Sequence, residues 1–207
     1  QEDFGGAIYA TEADLTITNS RFFENYGYDG GAIHASGSMS IFIEDTSFES
    51  NRAYGYTERV IEYEYDEETG EEISSTTLVW ERQGQGGVLL ATGSGSITIM
   101  NSEFVDNRSY WAGGALAIRT FDGTVAIDNS LFEGNRSVRS SGGAIANWMN
   151  GEDVYELDEF AELFNTLLID NCEFFGNLAQ RSSGGALYTE GDFSGPIRVE
   201  IDTTDFS

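Results

Sequence analysis

One histidine, His34, and one cysteine, Cys172, are all that this chain of 207 residues offers for imidazole or thiol chemistry. A nucleophilic pair would need the two side chains within hydrogen-bond reach. When the repeated units of the chain are aligned, three units separate them, roughly 14 Å at the spacing of paired strands. His34 falls at a variable, outward position, and Cys172 takes a small slot that other units fill with Ser20, Thr46, Ser102 and Ser130. Both read as structural residues, and no catalytic residue is expected.

Carboxylates are the other candidates. Thirty-six Asp and Glu oppose ten Arg, there is no Lys, and the formal net charge is -26. At that density pairs of carboxylates arise by chance, so count alone makes no glycosidase. One set is more specific: Asp128, Asp170 and Asp202 each stand four residues before a repeated Phe. They are expected outward and stacked in three successive units, where like charges repel unless a cation bridges them. This is a candidate weak calcium column, although the calcium-binding G-G-x-G-x-D nonapeptide does not occur. Asn107-Arg108-Ser109 and Asn135-Arg136-Ser137 match the glycosylation pattern, yet their asparagines belong to a repeated turn and are expected to be occupied there. Arg52, Arg108 and Arg136 are expected to balance nearby carboxylates at the surface.

The charge also excludes partners. A strongly negative field repels nucleic acid, anionic headgroups and acidic polysaccharides, and scarce cations disfavour a lyase, which must neutralise its substrate carboxylate. Direct membrane insertion is not expected, because no run of about 18 apolar residues exists. With one cysteine there is no disulfide framework and no cysteine-based zinc site.

What must position these residues is a repeat. Gly-Gly pairs begin at Gly5, Gly30, Gly86, Gly113, Gly142 and Gly184, giving a basal unit of about 25 to 29 residues, with extra sequence in the second and fifth. Aligned on Phe22, Phe48, Phe104, Phe132, Phe174 and Phe206, the position five residues earlier holds Ile17, Ile43, Ile99, Ile127, Ile169 and Ile201. Seven residues earlier stand Leu15, Ile41, Ile97, Val125, Leu167 and Val199, with variable residues between. That period of two marks a strand with one buried face.

A second strand follows each glycine pair, its inward column being Ile8, Ile33, Leu89, Leu116, Ile145 and Leu187. The glycines are expected to supply positive φ or close backbone approach at a corner. The Phe forms a third short strand that ends at Asn25, Asn51, Asn107, Asn135 or Asn177, where each side chain is expected to bond backbone or its own counterpart in a structural ladder. Units of this length that cannot bury an apolar side alone stack into a solenoid of six layers, roughly 30 Å long.

Two insertions break the rhythm. At about 52–85, Ile61, Tyr63 and Tyr65 alternate with acidic residues before Thr69-Gly70, which reads as a projecting β-hairpin. Tyr63, Tyr65 and Trp80 are its candidate ligand or partner contacts, since aromatics offer large contact area at low entropy cost. At about 147–164, Asp153 and Glu156 form a capping box, and Val154, Leu157, Phe160, Ala161 and Phe164 share one face of an expected short helix.

The coupled motifs "GGAI" at 30 to 33 with "FESN" at 48 to 51, and "GGAL" at 113 to 116 with "FEGN" at 132 to 135, resemble the repeats of chlamydial polymorphic membrane proteins. The resemblance spans nearly the whole chain, with departures at Gly86-Gly87-Val88-Leu89 and at the final "TDFS". It implies an all-β fold, a right-handed parallel β-helix of triangular section with about six coils, displayed outside the cell or on its surface, with adhesion as its role. The expectation is one segment over 1–207, belonging to a longer repeat protein because the repeat starts at Gly5 and stops at Ser207 without polar caps. Self-association or contact with neighbouring β-helix segments, or with a host or glycan surface, is the expected partnership. The competing expectation is a secreted polysaccharide-processing enzyme, a neutral-glycan hydrolase rather than a lyase.

Overall fold

A computed structural model describes residues 5–65, 72–82, 84–148, 164–191 and 197–207. All regular structure among the described residues is strand. The six units, repeats 1 to 6, succeed one another in space in chain order through three parallel sheets, an all-β arrangement compatible with a solenoid.

The largest sheet contains the long strands Ile33–Glu44, Leu89–Met100 and Leu116–Asp128 of repeats 2 to 4. Paired short strands extend it: Ile8–Thr11 with Leu15–Thr18, Ile145–Trp148 with Asn165–Asp170, and Leu187–Glu190 with Ile197–Asp202. The second sheet stacks Arg21–Phe23, Ser47–Glu49, Glu103–Val105, Leu131–Glu133, Glu173–Phe175 and Asp205–Phe206. The third stacks Tyr26–Gly27, Arg52–Ala53, Arg108–Ser109, Arg136–Ser137 and Leu178–Ala179.

The columns expected from the sequence are the rungs of these sheets. Phe22, Phe48, Phe104, Phe132, Phe174 and Phe206 pair in series. So do the Ile17-to-Ile201 and Leu15-to-Val199 columns. The rings stack with centroids 4.6 to 5.0 Å apart and planes within 3° to 16°. Phe48, Phe104, Phe132 and Phe174 are at most 1% exposed, and burial of each contributes about 1.5–3 kcal/mol. In the sixth repeat Ile201 and Phe206 are 45% exposed.

Three expectations change. The glycine-end strand and the Leu/Ile strand are not separate in repeats 2 to 4 but run on as one, because Gly37, Gly93, Gly95 and Gly123 adopt positive φ and bend it without ending it. A Cβ on Gly95 would lie 1.9 Å from the Met39 carbonyl oxygen, so only glycine passes there. Next, the chain does not simply turn after the asparagine: two further residues of each of repeats 1 to 5 build the third sheet. Finally, the position after Ile33, Leu89, Leu116 and Ile145 is not a solvated face. Leu90, Ala117 and Ala146 are buried there and His34 is half-buried, as in parallel sheets covered on both sides.

The glycine pairs use both devices considered for them, one each. The first glycine of every pair has φ of 64° to 68°. The second, in the first five pairs, lies against the next repeat: a Cβ on Gly114 would sit 1.9 Å from the Gly143 oxygen.

The first insertion forms an antiparallel pair, Tyr56–Tyr65 with Glu72–Arg82. Its expected turn at Thr69-Gly70 and most of the expected helix over 147–164 lie outside the described residues. Asn147 and Trp148 end the strand Ile145–Trp148, so they are not helical.

Candidate functional site: the polar columns between layers

Between the second and third sheets runs an asparagine ladder. The backbone N–H and Nδ2 of Asn25, Asn51, Asn107 and Asn135 each donate to Oδ1 of the next asparagine up the stack, at 2.8 to 3.1 Å. The Nδ2 of Asn51, Asn107, Asn135 and Asn177 also donates to the Phe carbonyl of the preceding repeat, at 2.7 to 3.0 Å. An amide side chain has two donor hydrogens and two acceptor lone pairs. In Asn51, Asn107 and Asn135 all four are used, and these residues are 0% exposed. Glycosylation at Asn107 or Asn135 would require opening the stack.

A hydroxyl ladder runs at the first corner. Ser20, Thr46, Ser102, Ser130 and Thr204 donate to the carbonyl two residues earlier at 2.7 to 2.9 Å. Backbone N–H groups of Ser20, Thr46, Ser102 and Cys172 donate to the hydroxyl of the following repeat. Cys172 substitutes in this ladder, its Sγ 3.0 Å from the Asp170 carbonyl oxygen. Burial pushes its thiol pKa up to about 11, the opposite of an activated nucleophile. His34 sits three repeats away beside Tyr9, with ring centroids 5.3 Å apart. Desolvation lowers its pKa, opposed by the Asp29 charge.

A third ladder went unnoticed in the sequence. Asn19, Asp45, Asn101, Asn129, Asn171 and Thr203 occupy one corner column with φ between 40° and 49°. Asn and Asp tolerate that left-handed conformation best among residues with a side chain, and the column was legible as the residue before each Ser, Thr or Cys. Asn129 Nδ2 donates to Asn101 Oδ1 at 2.7 Å and Asn171 Nδ2 to Asn129 Oδ1 at 2.9 Å. These asparagines are exposed and line a surface furrow with Glu103 and Glu173.

The candidate calcium column exists as a register: Asp128 pairs with Asp170, and Asp170 with Asp202. Thr203 engages two of the carboxylates, its Oγ1 donating to Asp170 Oδ1 at 2.6 Å and its N–H to Asp202 Oδ1 at 2.8 Å. Among the described residues no group of three His, Cys, Asp or Glu converges to hold a metal. The arginines depart from expectation. Arg52, Arg108 and Arg136 form one column of the third sheet, and none of them has a carboxylate within ion-pair distance among the described residues. The repeated carboxylate columns belong to the other two sheets.

In the hairpin, Tyr63 pairs with Ser75, Tyr65 with Glu72 and Trp80 with Glu58. Tyr63 and Tyr65 are therefore neighbours on one strand, whereas the Trp80 rung lies five rungs from that of Tyr63, about 17 Å along the ribbon. The three are not gathered at one point of the backbone ladder.

No family model, curated protein or solved structure matches the chain.

Proposed function

We propose that the chain is a right-handed parallel β-helix of about six coils, and that it serves as a non-catalytic structural or adhesive segment of an extracellular or cell-surface protein. The observation that carries this reading is the saturation of the interior asparagines of the ladder. Asn51, Asn107 and Asn135 spend every side-chain hydrogen-bonding valence on adjacent layers, and the repeated hydroxyls bond the adjacent backbone. Residues placed periodically for chemistry would keep a valence for substrate; these three asparagines keep none. The resemblance to chlamydial polymorphic membrane protein repeats supports the surface location, and the hairpin with Tyr63, Tyr65 and Trp80 is the segment proposed to meet a host or glycan surface.

Protease shaving of intact producing cells tests the location. Release of peptides from this chain while a cytoplasmic marker stays protected is the expected result. Retention of the chain with that marker would remove the surface reading. Replacing Tyr63, Tyr65 and Trp80 together by Ala is expected to lower binding to host cells or immobilised glycans while leaving the melting temperature unchanged.

A second reading, a neutral-glycan hydrolase, is favoured by the furrow in which Asn101, Asn129 and Asn171 adjoin Glu103 and Glu173. Amides and carboxylates suit sugar hydroxyls, and two carboxylates across a bond are what hydrolysis needs. Appearance of reducing ends from neutral glycans, lost in a Glu103→Gln/Glu173→Gln variant, would establish it.

A further inference from the structure

Two columns of opposite charge run up this stack. Arg52, Arg108 and Arg136 occupy successive rungs in repeats 2 to 4. Asp128, Asp170 and Asp202 occupy successive rungs in repeats 4 to 6. Each recurs once per layer, so both share one repeat distance, about 4.8 Å.

The arginine column is an anomaly in so acidic a chain. Three of ten arginines are stacked on like charges, an unfavourable arrangement unless something opposite lies across from them. Among the described residues no carboxylate does. Arg52 and Arg108 are exposed. Arg136 is half-buried, and its Nε is buried without a hydrogen-bond partner. A tyrosine adjoins the first of them: Arg52 lies over the Tyr26 ring at 5.8 Å, and Tyr26 and Tyr54 are exposed. Tyrosine and arginine together are the residue types that dominate protein interfaces.

We propose that the arginine column docks on the aspartate column of a second copy of this chain, laying two stacks side by side. The match in charge follows from the residues and the match in spacing from the fold, since both columns are ruled by the same strand separation. Asp170 and Asp202 are exposed and Asp128 is half-buried; Thr203 engages Oδ1 of each exposed carboxylate, not Oδ2. The two columns are different patches, so one such contact leaves an arginine column free on one copy and an aspartate column free on the other, and further copies can add. The net charge of -26 opposes approach. Association therefore needs salt enough to screen the long-range field, about 0.15 M, and weakens again when the contact pairs are screened. The proposal deepens the scaffold reading above and rests on it for its biological use.

The test is sedimentation velocity of the intact chain over a concentration series, in EDTA, at low, intermediate and high NaCl. The wild type is expected to associate, most strongly at intermediate salt. The Arg52→Glu/Arg108→Glu/Arg136→Glu variant and the Asp128→Arg/Asp170→Arg/Asp202→Arg variant are each expected to associate at least about tenfold more weakly. An equimolar mixture of the two should regain association, because each then carries what the other lacks. Should a triple variant lose its circular dichroism spectrum, the single changes Arg108→Glu and Asp170→Arg are used in the same mixing design.

A wild type that stays monomeric at every salt concentration would overturn the proposal, as would variants that associate like the wild type or a mixture that does not recover. Association that requires Ca2+ would assign the aspartates to a metal instead. A monomeric wild type that binds heparin through the arginines would assign them to an anionic glycan. In all these cases the scaffold reading survives; release of reducing sugars from neutral glycans by the same preparation is what would remove that reading.

Discussion

Asn107 and Asn129 are the same residue type, each repeated once per layer and bonded to its counterpart above and below. The first is 0% exposed and fully bonded; the second is exposed and joined through one bond on each side. Stacking therefore brings like residues together on both sides of the chain, and burial decides what the contact is worth. Inside, an unpaired amide would face an apolar core with no water to replace the lost partner. Outside, water replaces it at little cost.

The largest effect is expected where the interior is apolar. Ile127→Asp places an unpaired charge at a position that is 1% exposed and should unfold the stack, costing several kcal/mol; thermal melting by circular dichroism checks it. A normal melting temperature would break the register itself.

Next comes the asparagine pair. Asn107→Ala removes two bonds to Oδ1 and two from Nδ2 and should cost about 3 kcal/mol or more, since each buried group left unpaired costs about 1–3 kcal/mol. Asn129→Ala, by contrast, should cost about 1 kcal/mol, and Asn129→Gly close to nothing, because glycine adopts its φ of 46° freely. Equal losses in urea titrations of Asn107→Ala and Asn129→Ala would erase the inside–outside distinction.

Glycines offer a similar contrast. A Cβ on Gly114 meets the Gly143 oxygen at 1.9 Å, whereas one on Gly176 meets nothing within 4 Å. Gly114→Ala should prevent normal stacking, and Gly176→Ala should cost only the strain of a φ of 61°, about 1–2 kcal/mol. Soluble yield and melting temperature distinguish them.

The smallest effect is expected at Cys172. Replacement by Ser restores the hydroxyl found in neighbouring layers and should change stability by less than about 1 kcal/mol. In the wild type, with burial and a thiol pKa of about 11, alkylation at pH 8 should proceed only as fast as the stack opens. Rapid labelling of native protein would place the thiol at the surface.

Much of this was legible in the sequence because the columns needed no long-range information. The spacing of Ile127 to Phe132 to Asn135 repeats in other layers, and period-two alternation shows which of these residues face inward. The hairpin was legible in the same way. What the sequence hid depends on contacts between layers. Gly95 looks like a corner, yet it is a bend within one strand, because what it must avoid is the Met39 oxygen of the layer before. Arg108-Ser109 is too short to show a period, and it is a strand only because Arg52-Ala53 and Arg136-Ser137 flank it. The isolation of the arginines was equally hidden, since nearness in sequence to carboxylates says nothing of which sheet each occupies.

The central claim is that the repeated interior asparagines serve the stack alone. It is tested most directly by hydrogen exchange of asparagine side-chain amides, followed by NMR in the native protein. The Nδ2 hydrogens of Asn107 and Asn135 are predicted to exchange only through global opening, as slowly as the most protected backbone amides, while those of Asn129 exchange rapidly. Exchange of the Asn107 side chain at the rate of Asn129 would contradict the account, because it would leave the interior asparagines with valences free for something other than their neighbours.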